Sequence, residues 1–576
     1  MRFLLTALNA KYIHSNPALY SLKSYVGTLK DHVQIAEYTI NNRIEFILED
    51  IYSRKPDAIG FSCYIWNWNM IREILRELPK IMPGLPIWLG GPEVSFDGAE
   101  ILREFPMVTG IMVGEGEETF KEVLLHYLRG ESDDVLSEVP GLLLKTGPTG
   151  KREALSMEKV PFLYEDMAPF ENRIIYYESQ RGCPFRCSYC LSSIDKSVRF
   201  RDPDTVKREL QFFLDKKVKQ VKFVDRTFNC NHEHAMAIWQ YILKHDNGVT
   251  NFHFEIAADI IREEEIAILR KLRPGLVQME IGVQSTNEKT LAEIRRNMDV
   301  TRLKQVVSSI KEGQNIHVHL DLIAGLPYED YESFGKSFNE VYAMGPEQLQ
   351  LGFLKVLKGS YMHEKAKDYG LVYLDNPPYE VLYTKWISYE DIRRLKKIEE
   401  MVEIYYNSNQ FRATLPYLLK QFPSPFALYE ALADYYEEKG FFVETPARIY
   451  RYQVLLSFAE QVDGAHKEVY KELLLYDLYS RENLKSRPDF APDQTMYRQI
   501  FTQIYRREAE ERQLLPTLGA YDSRQLAHMT HMEVFRYSVW EQEVTLMSEK
   551  KIVLFDYENR NPLTYDARVV VLENDL

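Results

Sequence analysis

Three cysteines carry the most pointed chemistry in this sequence of 576 residues. They lie in Arg181-Gly182-Cys183-Pro184-Phe185-Arg186-Cys187-Ser188-Tyr189-Cys190, a C-x₃-C-x₂-C spacing. Thiolates are soft ligands, and short spacing between them selects an iron–sulfur cluster or zinc. A structural zinc site wants a fourth Cys or His nearby. None occurs between 191 and 229, and Cys230, His232 and His234 come only afterwards. Three ligands on a four-iron cluster leave one iron open to a substrate or cofactor. A zinc knuckle or a set of buried cysteines is the bland alternative. The two remaining cysteines, Cys63 and Cys230, read as buried small hydrophobes, with an auxiliary role left open for Cys230.

Such a loop has to be held by rigid elements. Residues 2–130 alternate short apolar runs with amphipathic ones. Strands are predicted over 3–8, 33–40, 58–64, 87–91 and 110–114, with helices over 18–30, 44–55, 70–82, 99–105 and 118–129. That alternation predicts an α/β, doubly wound (Rossmann-like) domain with a parallel sheet. Sheets of this kind bind ligands beyond the carboxyl ends of their strands. The unusual residues fall there: 9–17, 63–69, Gly90-Gly91-Pro92-Glu93-Val94-Ser95 and Gly114-Glu115-Gly116-Glu117. After a looser stretch the alternation restarts at 174 and runs six times, with strands over 174–179, 220–225, 251–257, 277–283, 316–323 and 348–356. Six units predict a partial (β/α)₆ barrel of TIM type. The cysteines directly follow its first strand. From about 360 the chain reads as mostly helical and rich in tyrosine, closing with a hairpin of two strands over 552–557 and 567–572. The predicted domains are 1–135, a connector over 136–172, the barrel over 173–360 and a helical domain over 361–576.

The cysteine stretch resembles the signature loop of the radical S-adenosylmethionine (radical SAM) superfamily, and the six-unit barrel is similar to that fold. The resemblance implies that Cys183, Cys187 and Cys190 hold a [4Fe–4S] cluster. S-adenosylmethionine would chelate the open iron and be cleaved to a 5′-deoxyadenosyl radical, with electrons from an external donor such as flavodoxin or ferredoxin. It further implies that Tyr189, Asp225, Glu280, Gln284, Ser285 and Gly325 meet S-adenosylmethionine. A doubly wound domain ahead of such a barrel resembles the cobalamin-binding domain of a radical SAM subfamily. Gly90, Gly91, Gly114 and Gly116 are then the implied cobalamin contacts, since glycine lets a backbone approach a ligand closely. The familiar Asp-x-His-x-x-Gly motif is absent, so a lower histidine ligand is not supported. His14 reads as a polar loop residue, and Trp66-Asn67-Trp68 either packs on the corrin or anchors the next helix. The whole order resembles bacterial cobalamin-binding radical SAM proteins with a tail of unknown function.

Composition narrows the remaining choices. With 71 basic and 85 acidic residues the net charge is −14, which argues against a partner held by nucleic-acid phosphates. An odd, sparse set of five cysteines excludes a secreted disulfide scaffold and points to a reducing, cytoplasmic setting. No apolar run is long enough to span a membrane. The expected function is a cobalamin-dependent radical SAM enzyme that methylates an unactivated carbon of a small-molecule, lipid or peptide substrate. A radical cyclisation, rearrangement or oxidation is the alternative within enzymes, and a non-catalytic cobalamin sensor the alternative outside them.

Overall fold

The computed structural model describes residues 1–195, 197–519 and 521–572. Strands β1 (Phe3–Asn9), β2 (Val33–Thr39), β3 (Ala58–Ser62), β4 (Ile87–Gly90) and β5 (Val108–Met112) form a parallel sheet. The short β6 (Leu142–Leu144) and β7 (Gly147–Pro148) extend its edge in antiparallel fashion. Every residue of β1 and β3 is buried, because helices cover both faces. Two separate apolar clusters result, one on each face. The order β2-β1-β3-β4-β5-β6-β7 reverses between β1 and β3. Loops leaving those two strands therefore diverge and open a crevice, where open α/β sheets take their ligands.

The second sheet begins with β8 (Ile175–Tyr177). A short antiparallel pair, β9 (Gln180–Arg181) with β10 (Arg199–Phe200), brackets the cysteine loop. Then come β11 (Gln220–Phe223), β12 (Asn251–Ile256), β13 (Val277–Gln284), β14 (Ile316–Ala324) and β15 (Gln348–Phe353). The order β15-β14-β13-β12-β11-β8 is parallel throughout, an open six-stranded barrel. Its long strands alternate strictly between buried and half-buried residues. The buried set packs on the outer helices, and the half-buried set faces the lumen.

A small hairpin, β16 (Val372–Tyr373) with β17 (Val381–Tyr383), leads out of the barrel. Helices follow, and one apolar core runs unbroken from the barrel into them. Phe426 packs where a side chain on Gly335 of a barrel helix would stand. At the free edge of β15, the Asn407 side chain accepts from Leu349 N and donates to Leu349 O, both at 2.9 Å. The helical expectation for this region fails at the β16–β17 hairpin and again near the end. Residues Thr530–Tyr537 form strand β18, which pairs with β19 (Leu546–Arg560), and β19 pairs with β20 (Ala567–Leu572). The closing hairpin thus belongs to a three-stranded antiparallel sheet. The stretch Thr-His-Met-Glu-Val-Phe-Arg-Tyr is β-branched and aromatic enough for a strand, but it follows a helix without a break. No helix among the described residues is long and apolar enough to cross a membrane.

Candidate functional site

The cysteine loop is held from below by a buried carboxylate. Asp225, fully buried at the end of β11, accepts from Ser179 N at 2.9 Å, Ser179 Oγ at 2.5 Å and Gln180 N at 2.9 Å. Burial pushes its pKa up to about 7, although these donors oppose the shift. Ser179 Oγ also lies 3.0 Å from His234 Nε2, and burial lowers that imidazole to about 4, so the ring is neutral. Gly182 then turns the chain at φ 92°, and a Cβ there would lie 2.2 Å from the Ser197 carbonyl oxygen. Only glycine fits that crossing. Beyond it, Cys183 and Cys187 are buried and Cys190 is partly exposed, all three as free thiols. Cys183 Sγ is 3.6 Å from Thr227 Oγ1. Arg296 donates to Cys187 Sγ at 3.7 Å, to Tyr189 Oη at 3.5 Å, and to the carbonyl of Gly282. Among the described residues no three His, Cys, Asp or Glu side chains converge as a single-ion site requires. A four-iron cluster asks less, because each thiolate reaches a different iron. Cys230 is half-buried, with its thiol 3.7 Å from Gln180 Oε1 and burial raising it to about 11.

The residues expected to meet S-adenosylmethionine separate into two groups. Tyr189 is part of the cysteine loop, and Gln284 shares the space beside Gly282 with Arg296, which donates to Cys187. Gln284 ends β13 at a bulge, with φ 73° and a buried Oε1 that has no partner. Arg296 Nε is likewise buried and without a partner, whereas the buried Asp321 Oδ1 and His319 Nε2 pair with each other at 3.0 Å. The unpartnered Gln284 Oε1 at the end of β13 and Arg296 Nε beyond it are atoms that a polar ligand would satisfy. The other expected residues have partners within the protein. Asp225 accepts from Ser179 and Gln180, as described. Buried Ser285 donates to Glu329 at 2.7 Å. Glu280 lies lower in the lumen, 3.2 Å from Lys222 Nζ and 3.0 Å from His253 Nε2, and the hydrogen bond from His253 holds its pKa down at about 2. At Gly325, φ is 89° and a Cβ would stand 2.7 Å from Val381, so packing explains that glycine. Arg296 is the residue that sequence reasoning missed, since a lone arginine in a helix–loop turn carries no signal.

Above the loop lies a cavity of about 1530 Å³ between the two sheets. Gly90, Gly91, Gly114 and Gly116 all line it, together with Tyr176 and Glu178 of the barrel. At Gly91 the φ is 110°, and a Cβ would lie 2.5 Å from the Cys63 carbonyl oxygen. Gly114 has φ 86° and nothing within 4 Å of a Cβ, so its backbone stands bare against the cavity. Gly116 also packs on Leu22, 3.2 Å from a Cβ. His14 is engaged by the barrel, with Nδ1 at 2.5 Å from Tyr176 Oη, and burial lowers its pKa. The tryptophan pair divides: Trp66 is 46% exposed and stacks on Tyr64 of the cavity wall, whereas Trp68 is buried and starts a helix.

The acidic residues of the Gly114-Glu115-Gly116-Glu117 loop hold the barrel in place. Arg181 bonds Glu117 at 2.6 Å and Glu178 at 2.9 Å, and Arg199 bonds Glu115 at 2.5 Å. Burial alone would raise the Glu117 pKa, but Arg181 beside it keeps it below the usual carboxylate range. The loop facing the cavity and the residue two before Cys183 are thus one ion-paired unit. A second tie joins Arg173 to Glu37 at 2.5 Å.

Family models match the chain in three consecutive parts: the B12 binding domain over 4–124, the radical SAM superfamily over 177–341, and a protein family of unknown function, DUF4080, over 367–555. The chain therefore carries a B12 binding domain followed by a radical SAM domain. These domain types take cobalamin and, on a [4Fe–4S] cluster, S-adenosylmethionine. The carbapenam relative 2-(S-pantetheinyl)-carbapenam-3-carboxylate methyltransferase from Streptantibioticus cattleyicolor is 24% identical over 55% of this chain and 50% of its own. The chain thus spans about half the length of that curated relative. The solved methyltransferase TsrM from Kitasatospora setae shares the fold with a TM-score of 0.53 at 16% identity, over 66% of this chain and 79% of that one. The cobalamin-dependent radical enzyme OxsB does so with a TM-score of 0.53 at 16% identity, over 82% of this chain and 78% of its own. The residues present fit these groups. Arg296, with a buried Nε still unpartnered, reaches the Cys187 thiol, and bare glycine backbone faces a cavity larger than the few hundred to about 1,000 Å³ usual for drug-sized ligands.

Proposed function

We propose that the chain is a cytoplasmic, cobalamin-dependent radical SAM methyltransferase acting on an unactivated carbon of a small-molecule substrate. The observation that carries this reading is the cavity itself, which joins the glycine loops of the first sheet to the barrel that presents the cysteines. In this reading Cys183, Cys187 and Cys190 hold the cluster, Gln284 and Tyr189 border S-adenosylmethionine, and Gly90, Gly91, Gly114 and Gly116 cradle cobalamin. The units 1–135, 173–360 and 361–576, joined by 136–172, then divide the labour. When bound, these groups supply a carbon-centred radical from S-adenosylmethionine and a transferable methyl group, with electrons from a donor such as flavodoxin or ferredoxin.

The protein's own contribution is positioning and exclusion of water. Asp225 fixes the backbone of Ser179 and Gln180, and with it the start of the cysteine loop. Arg296 donates to the Cys187 sulfur, which stabilises negative charge there. Arg181 and Glu117 hold the cavity's glycine loop in register with the cysteines. The lumen below, lined by Lys222, His253 and Glu280, is polar enough to orient a hydrogen-bonding substrate.

The test is anaerobic reconstitution followed by incubation with S-adenosylmethionine and candidate substrates. A methyltransferase of this class makes S-adenosylhomocysteine and 5′-deoxyadenosine together, whereas a rearrangement makes only the latter. Protein that retains no corrinoid refutes the cobalamin part, and a Cys187→Ala variant that still cleaves S-adenosylmethionine refutes the radical part.

A further inference from the structure

The mechanism leaves the start of the domain of unknown function without a role, yet residues 354–387 touch the cysteine loop, the end of the fifth barrel strand and the loop after β4. Met362 N donates to the carbonyl of Ser188, inside the cysteine loop, at 2.8 Å. Val381 of β17 occupies the space above Gly325 at the end of the fifth barrel strand. On the other side the same segment reaches the loop that follows β4. Tyr379 donates to the Glu93 carboxylate, and Lys358 pairs with Asp97. Gly359 approaches the Phe96 ring so closely that a Cβ would lie 2.2 Å from it.

Glu93 makes this contact consequential. It stands two residues after Gly91, and it is 5% exposed. Burial pushes its pKa up to about 7, against the opposing pull of the Tyr379 hydroxyl and Lys358. A buried carboxylate that loses its donor must move or protonate, because leaving it unpaired is costly. Either response shifts the loop that presents Gly90 and Gly91 to the cavity.

We propose that this segment is a brace for the cofactor chamber, in which Tyr379 acts as a positioning residue that holds the Gly90–Glu93 loop in its corrinoid-receiving shape. The domain of unknown function would then contribute directly to cofactor retention. The inference rests on the reading of the cavity as a corrinoid site.

The experiment uses the full-length protein and hydroxocobalamin as probe, with affinity read by equilibrium dialysis and with iron and sulfide per chain measured alongside. Tyr379→Phe is expected to weaken hydroxocobalamin binding roughly tenfold while leaving iron and sulfide unchanged. Tyr369→Phe serves as control, because its hydroxyl donates to Glu293 at 2.6 Å on the barrel side only. It should leave the affinity unchanged. Adding Glu93→Gln to Tyr379→Phe removes the buried charge that needed the donor, and should restore most of the affinity, which mere loosening of the fold would not allow. Wild-type protein that fails to bind hydroxocobalamin refutes the corrinoid reading. Wild-type protein that binds it while Tyr379→Phe binds equally well, or a double variant no tighter than the single one, refutes the brace alone. Should Tyr379→Phe not fold, Lys358→Met decides: a smaller loss of affinity supports the brace, and an unchanged one overturns it.

Discussion

The two parallel sheets of this chain make their chemistry available in different ways. In the first, β1 and β3 are apolar on both faces and nothing reactive lies within the strands. Beyond the strand residues that line the cavity wall, what it can offer a ligand comes from loops at the strand ends, largely as bare backbone at Gly91 and Gly114. In the barrel, each strand turns one face inward, and Lys222, His253, Glu280, His319 and Asp321 stand along it. A sheet covered twice must recognise with its margins; a sheet curled around a lumen can also recognise with its strands. A large ligand held mainly through its periphery suits the first surface, and a small ligand with several polar groups suits the second.

That contrast can be broken at several points. The largest effect is expected at the barrel's loop, where Cys183→Ala or Cys190→Ala should abolish cluster assembly, read as loss of iron and sulfide per chain with hydroxocobalamin binding retained. If corrinoid binding also disappeared, the two surfaces would not be separable. Next is Gly91→Ala, which forces a methyl against the Cys63 carbonyl at a positive φ. It should cost about 3 kcal/mol in chemical denaturation and remove corrinoid binding while cluster content persists. A smaller effect, about 2 kcal/mol, is expected for Lys222→Met, which strips the lumen carboxylate of its cation.

The smallest and most discriminating test is in pH. Glu280 has its pKa depressed to about 2, so its stabilisation is present above the unfolded value near 4.5 and is lost as pH falls through about 2. Glu93 has its pKa raised to about 7, so its stabilisation is complete below the unfolded value and is lost as pH rises toward 7. Glu280→Gln should therefore flatten the acid limb of a stability profile, and Glu93→Gln the limb between about pH 4.5 and 7, each by about 1–2 kcal/mol.

Periodicity alone located both sheets, because strands buried on two faces and strands at βα spacing leave unmistakable apolar runs. The cysteine loop was legible for the same local reason: ligand spacing is a property of the chain itself. Individual site residues were less so. Asp225, Ser285 and Gly325 stand at the ends of barrel strands, as ligand-binding residues do, but their partners Ser179, Glu329 and Val381 come from elsewhere in the sequence, where no local pattern marks them. Arg296 and Tyr379 were invisible for the complementary reason: an arginine or a tyrosine gains its role only from what folding sets against it. Strand β18 was missed because it leaves a helix with no turn residue to mark the change.

One small contact has consequences beyond the single chain. An open barrel ends in a strand whose outer amides and carbonyls are a template for any passing strand, including the same strand of another copy. Here Asn407 fills both hydrogen-bonding positions of Leu349 with a side-chain amide. The barrel finishes in a counterfeit strand one residue long, and two molecules meeting at that rim find no free position at Leu349 on which to zip together.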